Sequence, residues 1–478
     1  MSMRSAVTAA PAVPRHRSRP TPPSPLKSIA SQLAFSNLKI EMVAPEALKR
    51  SPQAARKHPQ KQLERIAASL KAYGCNMPVA IDDTNTIIAG HARVAAAKLA
   101  GFKEIPAVRL SHLTPAQARA YAIADNKLAE GATWDDDMLK LVLTELLEVD
   151  VDLNIEAMGF DQVELDVILL GTDAAAGDEP DEPLPAVRKV AVTRRGDVWR
   201  LGRHMFACAD ALDSASYALV LGDVKATLVI SDPPYNVPVQ RHVSGLGQHQ
   251  HREFAMASGE MTTAEFTTFL RTVFGHLASH SAPGSLHLLF IDHRHMEEML
   301  AAGGATYKER KNLLVWKKTN ASMGSQYRSQ HELIFLYKHG TAPHINNIQL
   351  GANGRYRTNV LEYAGANTFR AGRDEELERH PTPKPVALIA DLIRDSSHIN
   401  DWVLDSFVGG GTIFVAAEKT QRRAAGIEID PVYCDLSIER WQALTGKSAV
   451  LVATGQTYAQ VAQARLAEPT NAGVGAQR

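Results

Sequence analysis

The sequence predicts an α/β protein with a mostly parallel β-sheet, preceded by a smaller, separate α+β domain. Three observations support this fold class: short apolar runs that end at Pro or Gly loops, a glycine-rich turn between a strand and a helix, and a Pro- and acid-rich stretch that divides the chain. A strand, a glycine loop, a helix and a second strand make a βαβ unit, which implies parallel strands. Ligands of such sheets bind at the carboxyl ends of the strands.

The composition is that of a globular protein, with 45% hydrophobic residues and a formal net charge of +0. This neutral balance excludes a globally basic nucleic-acid-binding protein, so a DNA-binding surface would have to be a local basic patch. No run of about 18 apolar residues occurs, and no membrane span is expected. The widely spaced Cys75, Cys208 and Cys434 favour a reducing cytoplasm and predict neither a disulfide framework nor a bound metal.

Composition also predicts the domain limits. Residues 1–31 are basic and lack an apolar signal segment, which predicts a disordered arm, and residues 32–170 form the first ordered domain. Residues 171–189 are rich in Pro, Gly, Ala and acids, which is typical of a linker. Residues 190–455 form the second domain, and the Ala/Gln-rich residues 456–478 are expected to be a disordered tail.

Apolar, β-branched runs in the second domain predict its strands. One helix is predicted between the last two of them, directly after the glycine-rich turn. The predicted strands are Ala226–Ser231, 285–291, 332–337, 401–405 and Arg423–Glu428, and the predicted helix is Thr412–Lys419.

The glycine-rich turn predicts a cofactor site, because glycines let the backbone approach a ligand closely. Glu428 ends the next strand, where a carboxylate binds ribose hydroxyls in nucleotide-binding α/β folds. The pattern differs from the fingerprints of NAD and ATP sites, so another adenosine-type ligand is favoured. The predicted cofactor residues of the turn are Asp405, Phe407, Gly409, Gly411 and Thr412.

A second constellation directly follows the strand Ala226–Ser231 and consists of Asp232, Pro233, Pro234 and Tyr235. The amino group of a nucleobase is a poor nucleophile, because its lone pair is delocalised into the ring. A carboxylate and a proline carbonyl that accept its two N–H groups would localise that lone pair, and an aromatic ring could stack on a base that has left the duplex. These four residues are the predicted catalytic group.

Together the two stretches resemble the amino-methylating DNA methyltransferases, with Phe407-x-Gly409-x-Gly411 as the cofactor motif and the Asp-Pro-Pro-Tyr stretch as the catalytic motif. The catalytic motif comes first, which is the order of the β group. The resemblance implies a Rossmann-like sheet that binds S-adenosyl-L-methionine. It places Asp210 near the adenine of the cofactor and Lys384, in His-Pro-x-x-Lys-Pro, at the methionine end. Segments 316–318 and 328–332 also look like family segments.

The resemblance implies direct methyl transfer, which needs positioning and electrostatics rather than a covalent intermediate. No cysteine follows a proline, as carbon-5 cytosine methylation would require. Asp at the first motif position favours adenine N6 as the target of a site-specific enzyme. Cytosine N4 methylation is the alternative within the family.

Double-stranded DNA is the predicted partner. The family places target recognition at about residues 338–379, where arginines and asparagines suit bidentate contacts to guanine and adenine. Residues 236–261 predict a loop that could close over a flipped base. The predicted DNA-binding arginines are Arg355, Arg357, Arg370 and Arg373.

The first domain contains a glycine turn that leads into an Ala-rich helix, with Gly90, His91 and Arg93 as a possible phosphate site. The segment 87–110 resembles the ParB/sulfiredoxin-like domain, although Ala92 replaces a usual arginine and the sulfiredoxin cysteine is absent. Nucleotide binding by this domain therefore stays open, as does a simple helix-capping role. Residues 115–170 are predicted to be helical and to complete the domain.

Two other functions remain open on the residues alone. One is a ParB-like DNA-binding or partition module whose methylase half is inactive, and the other is a nucleotide-dependent oxidoreductase on a similar sheet. A cytoplasmic location is expected, and a homodimer is one option for the assembly.

Overall fold

The computed structural model describes residues 38–149, 155–170, 185, 188, 190–237, 259–319, 321, 326–348, 357–364 and 384–467. Contacts divide the chain into two compact units, Met1–Thr133 with Ala157–Gly159, and Trp134–Glu156 with Phe160–Arg478. Within the described ranges, no helix has the length and apolarity needed to cross a membrane.

The first unit is an α+β structure with a four-stranded sheet in the order β1-β4-β2-β3. Strands β2 and β4 are parallel, and the other neighbours are antiparallel. Its core contains the fully buried Val79, Ile81 and Ile105. The elements are β1 Ile40–Val43, α1 Gln60–Tyr73, β2 Val79–Ile81, β3 Ile87–Ala89, α2 His91–Ala100, β4 Ile105–Arg109 and α3 Pro115–Ala129.

The predicted helix after Gly90 is confirmed as α2. Gly90 precedes the helix with φ at 97°, and a Cβ there would lie 2.8 Å from a methyl carbon of Val79. Only glycine tolerates both the left-handed backbone and this close approach.

Two further helices, α4 Asp136–Val149 and α5 Gln162–Leu170, follow as the sequence predicts. Contacts group both with the second unit, whereas composition placed them in the first domain. The boundary between the two contact-defined units therefore lies earlier in the chain than the domain boundary predicted from composition.

The second unit has a ten-stranded sheet in the order β11-β9-β10-β8-β7-β12-β13-β6-β5-β14. All five predicted strands are present, and the run predicted at 285–291 begins four residues earlier. The strands are β5 Val198–Leu201, β6 His204–Cys208, β7 Ala226–Ser231, β8 Ser281–Ile291, β9 Glu309–Lys318, β10 His331–Lys338, β11 Val360–Tyr363, β12 Trp402–Asp405, β13 Arg423–Glu428 and β14 Val450–Leu451.

The centre of this sheet is parallel, as predicted: β8, β7, β12, β13 and β6 all run in one direction. The strand predicted at 332–337 is β10, which lies antiparallel to both of its neighbours. The sheet as a whole is therefore mixed, since β10 is antiparallel to β8 and β9 while β11 is parallel to β9.

Helices cover both faces of the sheet. Two clusters of buried side chains form the core, one containing Phe206, Phe290 and Phe414 and the other Phe266 and Phe274. The helices are α6 Ser214–Leu221, α7 Thr263–Ser279, α8 Met296–Thr306, α9 Val386–Ser396, α10 Thr412–Lys419, α11 Pro431–Thr445 and α12 Tyr458–Ala467.

The prediction of a disordered tail from residue 456 is wrong for residues 456–467, where α12 lies. Tyr458 is buried against Trp199, with ring centroids 5.5 Å apart, and Arg465 is ion-paired with Asp197. Ala and Gln favour helices as well as tails, and the packing decides between the two. The arm 1–31, residues 171–184 of the linker and residues 468–478 lie outside the described residues.

Candidate active site

Three neighbouring parallel strands, β7, β12 and β13, end at the same edge of the sheet. Asp232 directly follows β7, Asp405 ends β12, and Glu428 ends β13. The strand pairing therefore brings the predicted catalytic motif and the predicted cofactor motif together, although about 170 residues separate them along the chain.

The glycine turn after β12 is held in place by Glu428. Its Oε2 accepts a hydrogen bond of 2.8 Å from the Gly409 amide, and its Oε1 accepts one of 3.0 Å from the Asp430 amide. Burial raises the pKa of Glu428. The two carboxylate oxygens offer about four acceptor positions, so the buried side chain can still accept a hydrogen bond from a ligand hydroxyl.

Two glycines of this turn, Gly409 and Gly411, have φ values of 53° and 78°. A Cβ on Gly411 would lie 2.9 Å from Ser437, so no larger residue fits there without movement. Thr412 then begins α10 and donates a hydrogen bond of 3.3 Å to the Lys384 carbonyl.

Asp405 connects the two motifs. It is buried, and its Oδ1 accepts hydrogen bonds from the Ser231 hydroxyl at 2.9 Å and the Phe407 amide at 3.0 Å. Burial raises the pKa of Asp405 to about 7, and the nearby charges of Asp232 and Glu428 act in the same direction.

Two other predicted cofactor residues lie at the same edge. Asp210 follows β6, the strand next to β13, and its Oδ1 accepts a hydrogen bond of 2.9 Å from the Leu212 amide. The Phe407 ring lies 6.0 Å from the ring of Phe269 on α7.

The predicted catalytic carboxylate, Asp232, has 26% of its side chain exposed. Its Oδ1 accepts a hydrogen bond of 2.6 Å from the Tyr235 hydroxyl, and its Oδ2 accepts one of 2.6 Å from the Lys384 ammonium. Burial raises the pKa of Asp232, and the Glu332 carboxylate adds to that shift while Lys384 opposes it. Pro233 beside it is buried.

The structure adds two residues that the sequence argument did not assign, Glu332 on β10 and Lys318 on β9. Glu332 accepts hydrogen bonds from Lys318 at 2.6 Å and from the Tyr235 hydroxyl at 3.1 Å, and it lies 3.1 Å from Lys384. Burial alone would raise the pKa of Glu332, but the two ammonium groups lower it to about 2. Both residues lie in segments that resemble the family, which was the available signal.

Lys384 was predicted to close the methionine end of the cofactor site. In the structure its ammonium lies between the carboxylates of Asp232 and Glu332. Burial alone would lower the pKa of Lys384, but these two carboxylates raise it. Its backbone carbonyl accepts a hydrogen bond from Thr412, at the end of the predicted cofactor turn.

One of the four predicted DNA-binding arginines, Arg357, is described. Its guanidinium is ion-paired with Asp391 at 2.8 Å and Asp395 at 3.4 Å, both on α9. These carboxylates hold the Arg357 guanidinium against α9 and give its predicted DNA-binding role no support. Arg355, Arg370 and Arg373 lie outside the described residues.

The ends of the predicted loop 236–261 lie together. The Asn236 side chain donates to the Met261 carbonyl at 2.8 Å and accepts from the Gly259 amide at 3.1 Å. Residues 238–258 between these ends are outside the described residues.

The first unit contains a cavity of about 1120 Å³ that Gly90, His91 and Arg93 help to line. The Arg93 guanidinium donates hydrogen bonds to the Met77 and Pro78 carbonyls at 3.0 and 2.7 Å. It therefore stabilises the backbone just before β2. The pKa of His91 is lowered by burial and by nearby cations. In the described ranges no group of three or more His, Cys, Asp or Glu residues could hold a metal ion.

Comparison with known families matches three segments. Residues 226–439 match the DNA methylase family, residues 30–127 match the ParB N-terminal domain, and residues 137–195 match the ParB-methyltransferase HTH domain. The sequence argument did not predict the third module as a helix-turn-helix.

Curated relatives include the type II methyltransferase M2.MboI of Moraxella bovis, which is 28% identical over 141 residues, or 28% of this chain and 50% of that protein. Another is M.HpaI of Haemophilus parainfluenzae, 36% identical over 96 residues, or 20% of this chain and 28% of that protein. The chain thus spans half or less of the length of these relatives.

Solved structures similar to the chain include PvuII DNA methyltransferase (cytosine-N4-specific), with a TM-score of 0.38 and 13% identity over 58% of this chain and 94% of that one. The complex of M1.HpyAVI with SAM has a TM-score of 0.35 and 18% identity over 49% of this chain and 98% of that one.

The family matches agree with the motifs and with the sheet that holds them. Residues 226–439 match the DNA methylase family, and the chain joins this segment to segments that match the ParB N-terminal domain and the ParB-methyltransferase HTH domain.

Proposed function

We propose that the protein is a site-specific DNA methyltransferase that transfers a methyl group from S-adenosylmethionine to the exocyclic amino group of a flipped base, with adenine N6 as the target. The observation that carries this proposal is the position of Asp232 at the end of β7, next to the strand that ends in the glycine turn. One edge of the sheet thus offers an amino-group acceptor beside a nucleoside site.

The residues at this edge fit the cofactor. Asp405 and Glu428 are buried carboxylates on adjacent strands, and Asp210 follows the next strand. Carboxylates suit both a ribose diol and a cation, whereas the triphosphate of ATP would be repelled by them. When bound, S-adenosylmethionine supplies an electrophilic methyl group on a sulfonium.

The chain's own residues would activate the amino group. Asp232 would accept one N–H and a proline carbonyl beside it the other, which localises the nitrogen lone pair toward the methyl carbon. The negative charge of Asp232 would also stabilise the positive charge that develops on nitrogen, before that nitrogen loses its proton to water. Because the transfer is direct, the residues are needed for position and charge, and no nucleophilic side chain takes part.

A transfer assay with tritiated S-adenosylmethionine tests this function and its target base. The substrates would be DNA duplexes in which an analogue without the amino group replaces either every adenine or every cytosine. Nucleoside chromatography would then identify the labelled base. We expect the label in N6-methyladenine. Label in N4-methylcytosine would instead identify cytosine as the target base. The absence of label on any DNA would overturn the proposal.

Double-stranded DNA is the partner that the proposed reaction requires, and residues 338–379 are our candidate for target recognition, with Arg355, Arg370 and Arg373 as the proposed DNA-binding side chains. A cytoplasmic enzyme is consistent with this substrate. A homodimer is a separate prediction that sedimentation at several concentrations would check.

We infer a second function for the first unit, the binding of a phosphate-bearing ligand in its cavity. His91 lies in the first turn of α2 and lines this cavity together with Arg56, Arg119 and Lys127. Helix N-termini and cationic side chains both favour anions. Calorimetry with inorganic phosphate and with nucleoside triphosphates is expected to show binding that His91→Ala weakens, and no heat with any of them would overturn this inference.

A further inference from the structure

The Lys384 ammonium occupies the acceptor side of the candidate active site. Its nitrogen lies 2.6 Å from Oδ2 of Asp232 and 3.1 Å from Oε2 of Glu332, and its side chain is 8% exposed. Three aromatic rings surround it, with centroids 5.5 Å away for Tyr235, 5.3 Å for Phe290 and 5.9 Å for Trp316. A nitrogen with N–H donors thus lies where the proposed reaction requires the amino group of the base to donate.

This arrangement conflicts with the transfer step. A carboxylate that is ion-paired with an ammonium is a weaker acceptor for the N–H of the base, because the ammonium withdraws its charge. The same ammonium would repel the positive charge that develops on the methylated nitrogen. While Lys384 contacts Asp232, this carboxylate is therefore in a state that does not support methyl transfer.

Glu332 offers Lys384 a second position within the same site. Its carboxylate is already 3.1 Å from the ammonium, so a small movement of the Lys384 side chain exchanges one carboxylate for the other. The Tyr235 hydroxyl contacts both carboxylates, at 2.6 Å for Asp232 and 3.1 Å for Glu332. The Lys318 ammonium holds the other oxygen of Glu332 at 2.6 Å, which fixes the second position in place.

We propose that Lys384 and Glu332 form a two-position latch, in which the ammonium of Lys384 covers Asp232 until the target amino group displaces it onto Glu332. The latch rests on the proposed methyl transfer. In it Glu332 is a positioning residue: it touches neither base nor cofactor, and it acts by taking Lys384 away from the catalytic carboxylate.

The test is a double-mutant cycle of Glu332→Gln and Lys384→Met, measured by transfer of tritiated methyl groups to DNA. Gln keeps the size of Glu332 without its charge, so Lys384 should stay on Asp232 and kcat should fall about tenfold or more, with little change in KM for DNA. Adding Lys384→Met removes the ammonium, so the double variant should recover to within about threefold of Lys384→Met alone.

Two further variants separate the latch from a loss of structure. Glu332→Asp keeps the charge and is expected to restore most of the kcat that Glu332→Gln loses. Glu309→Gln removes a carboxylate from an exposed ion pair with Lys311 on β9 and should leave kcat unchanged. Calorimetric binding of S-adenosylmethionine should be the same in Glu332→Gln as in the wild type, which would show that the variant is folded.

The outcomes are distinguishable. An active wild type whose Glu332→Gln variant keeps full kcat, or whose double variant is no faster than Glu332→Gln, would overturn the latch and leave the proposed function standing. If Glu332→Gln does not fold, the decision passes to Lys384→Met, whose kcat must then be at least as high as that of the wild type, because no ammonium covers Asp232. A wild type that methylates no DNA would remove the proposed function and the latch with it.

Discussion

Arg422 and Asp166 form a bidentate ion pair with no exposed side-chain surface, with Nη1 2.8 Å from Oδ1 and Nη2 3.1 Å from Oδ2. Asp166 lies on α5, within the residues that match the HTH module, and Arg422 immediately precedes β13 of the methylase domain. Arg422 also donates to the Thr420 and Ser397 carbonyls at 2.6 and 2.8 Å. A helix of one sequence module is thus joined by a buried ion pair to the core of the next.

We expect Asp166→Ala to lower the free energy of unfolding of the second unit by about 3–5 kcal/mol, because it leaves a buried guanidinium without its carboxylate. Adding Arg422→Met should recover part of this loss, since both charges are then gone. Urea unfolding followed by circular dichroism measures both changes. A loss of less than about 0.5 kcal/mol, as expected for Glu309→Gln at an exposed pair, would show that the ion pair does not hold α5.

Asp232→Ala should lower kcat for methyl transfer by about two to three orders of magnitude, because the amino group loses a charged acceptor at the transition state. Binding of S-adenosylmethionine should persist, since the predicted cofactor carboxylates Asp405 and Glu428 lie on the neighbouring strands β12 and β13. Filter assays with labelled cofactor and calorimetry measure the two properties. Asp223→Ala, an exposed carboxylate before the amino end of β7, is the matched control, and an equal loss of both properties in Asp232→Ala would contradict the assigned roles.

Glu428→Gln should weaken cofactor binding about tenfold, which corresponds to about 1.4 kcal/mol. A glutamine has only one acceptor oxygen, so the amide of either Gly409 or Asp430 loses its partner and the glycine turn is no longer held from both sides. Calorimetric titration with S-adenosylmethionine checks this. An unchanged dissociation constant would mean that Glu428 shapes the turn without contributing to the cofactor site.

The raised pKa of Asp405, about 7, predicts a pH-dependent stability. An acid whose pKa is higher in the folded protein binds its proton more tightly there, so this contribution is full below the ordinary value of 3.8 and is lost as the pH rises through about 7. From about pH 5 to pH 8 the wild type should lose about 2 kcal/mol relative to Asp405→Asn, which cannot ionise. Parallel urea curves at the two pH values measure this difference, and curves that shift equally in both proteins would contradict it.

Local patterns in the sequence were enough to predict the strands that carry the site. The run Ala226–Ser231 and the sequence around Asp405 each combine β-branched or apolar residues with a Pro or Gly stop, and both are strands in the structure. The sequence also determined the order of the two motifs and the residue types at the sheet edge, because strand propensity and turn chemistry depend on near neighbours.

The tertiary structure alone decided what surrounds Asp232. Glu332 lies 97 residues from Tyr235 along the chain, and Lys384 lies 152 residues from Asp232. Their meeting depends on the antiparallel register of β10 against β8 and on the packing of the segment before α9, which no local pattern encodes. The same applies to α12. Its sequence is compatible with a tail or a helix, and the contact between Tyr458 and Trp199 decides for the helix. Contacts between distant segments form only when the whole sheet is assembled, and for that reason the charges that surround the Asp232 carboxylate could be known only from the fold.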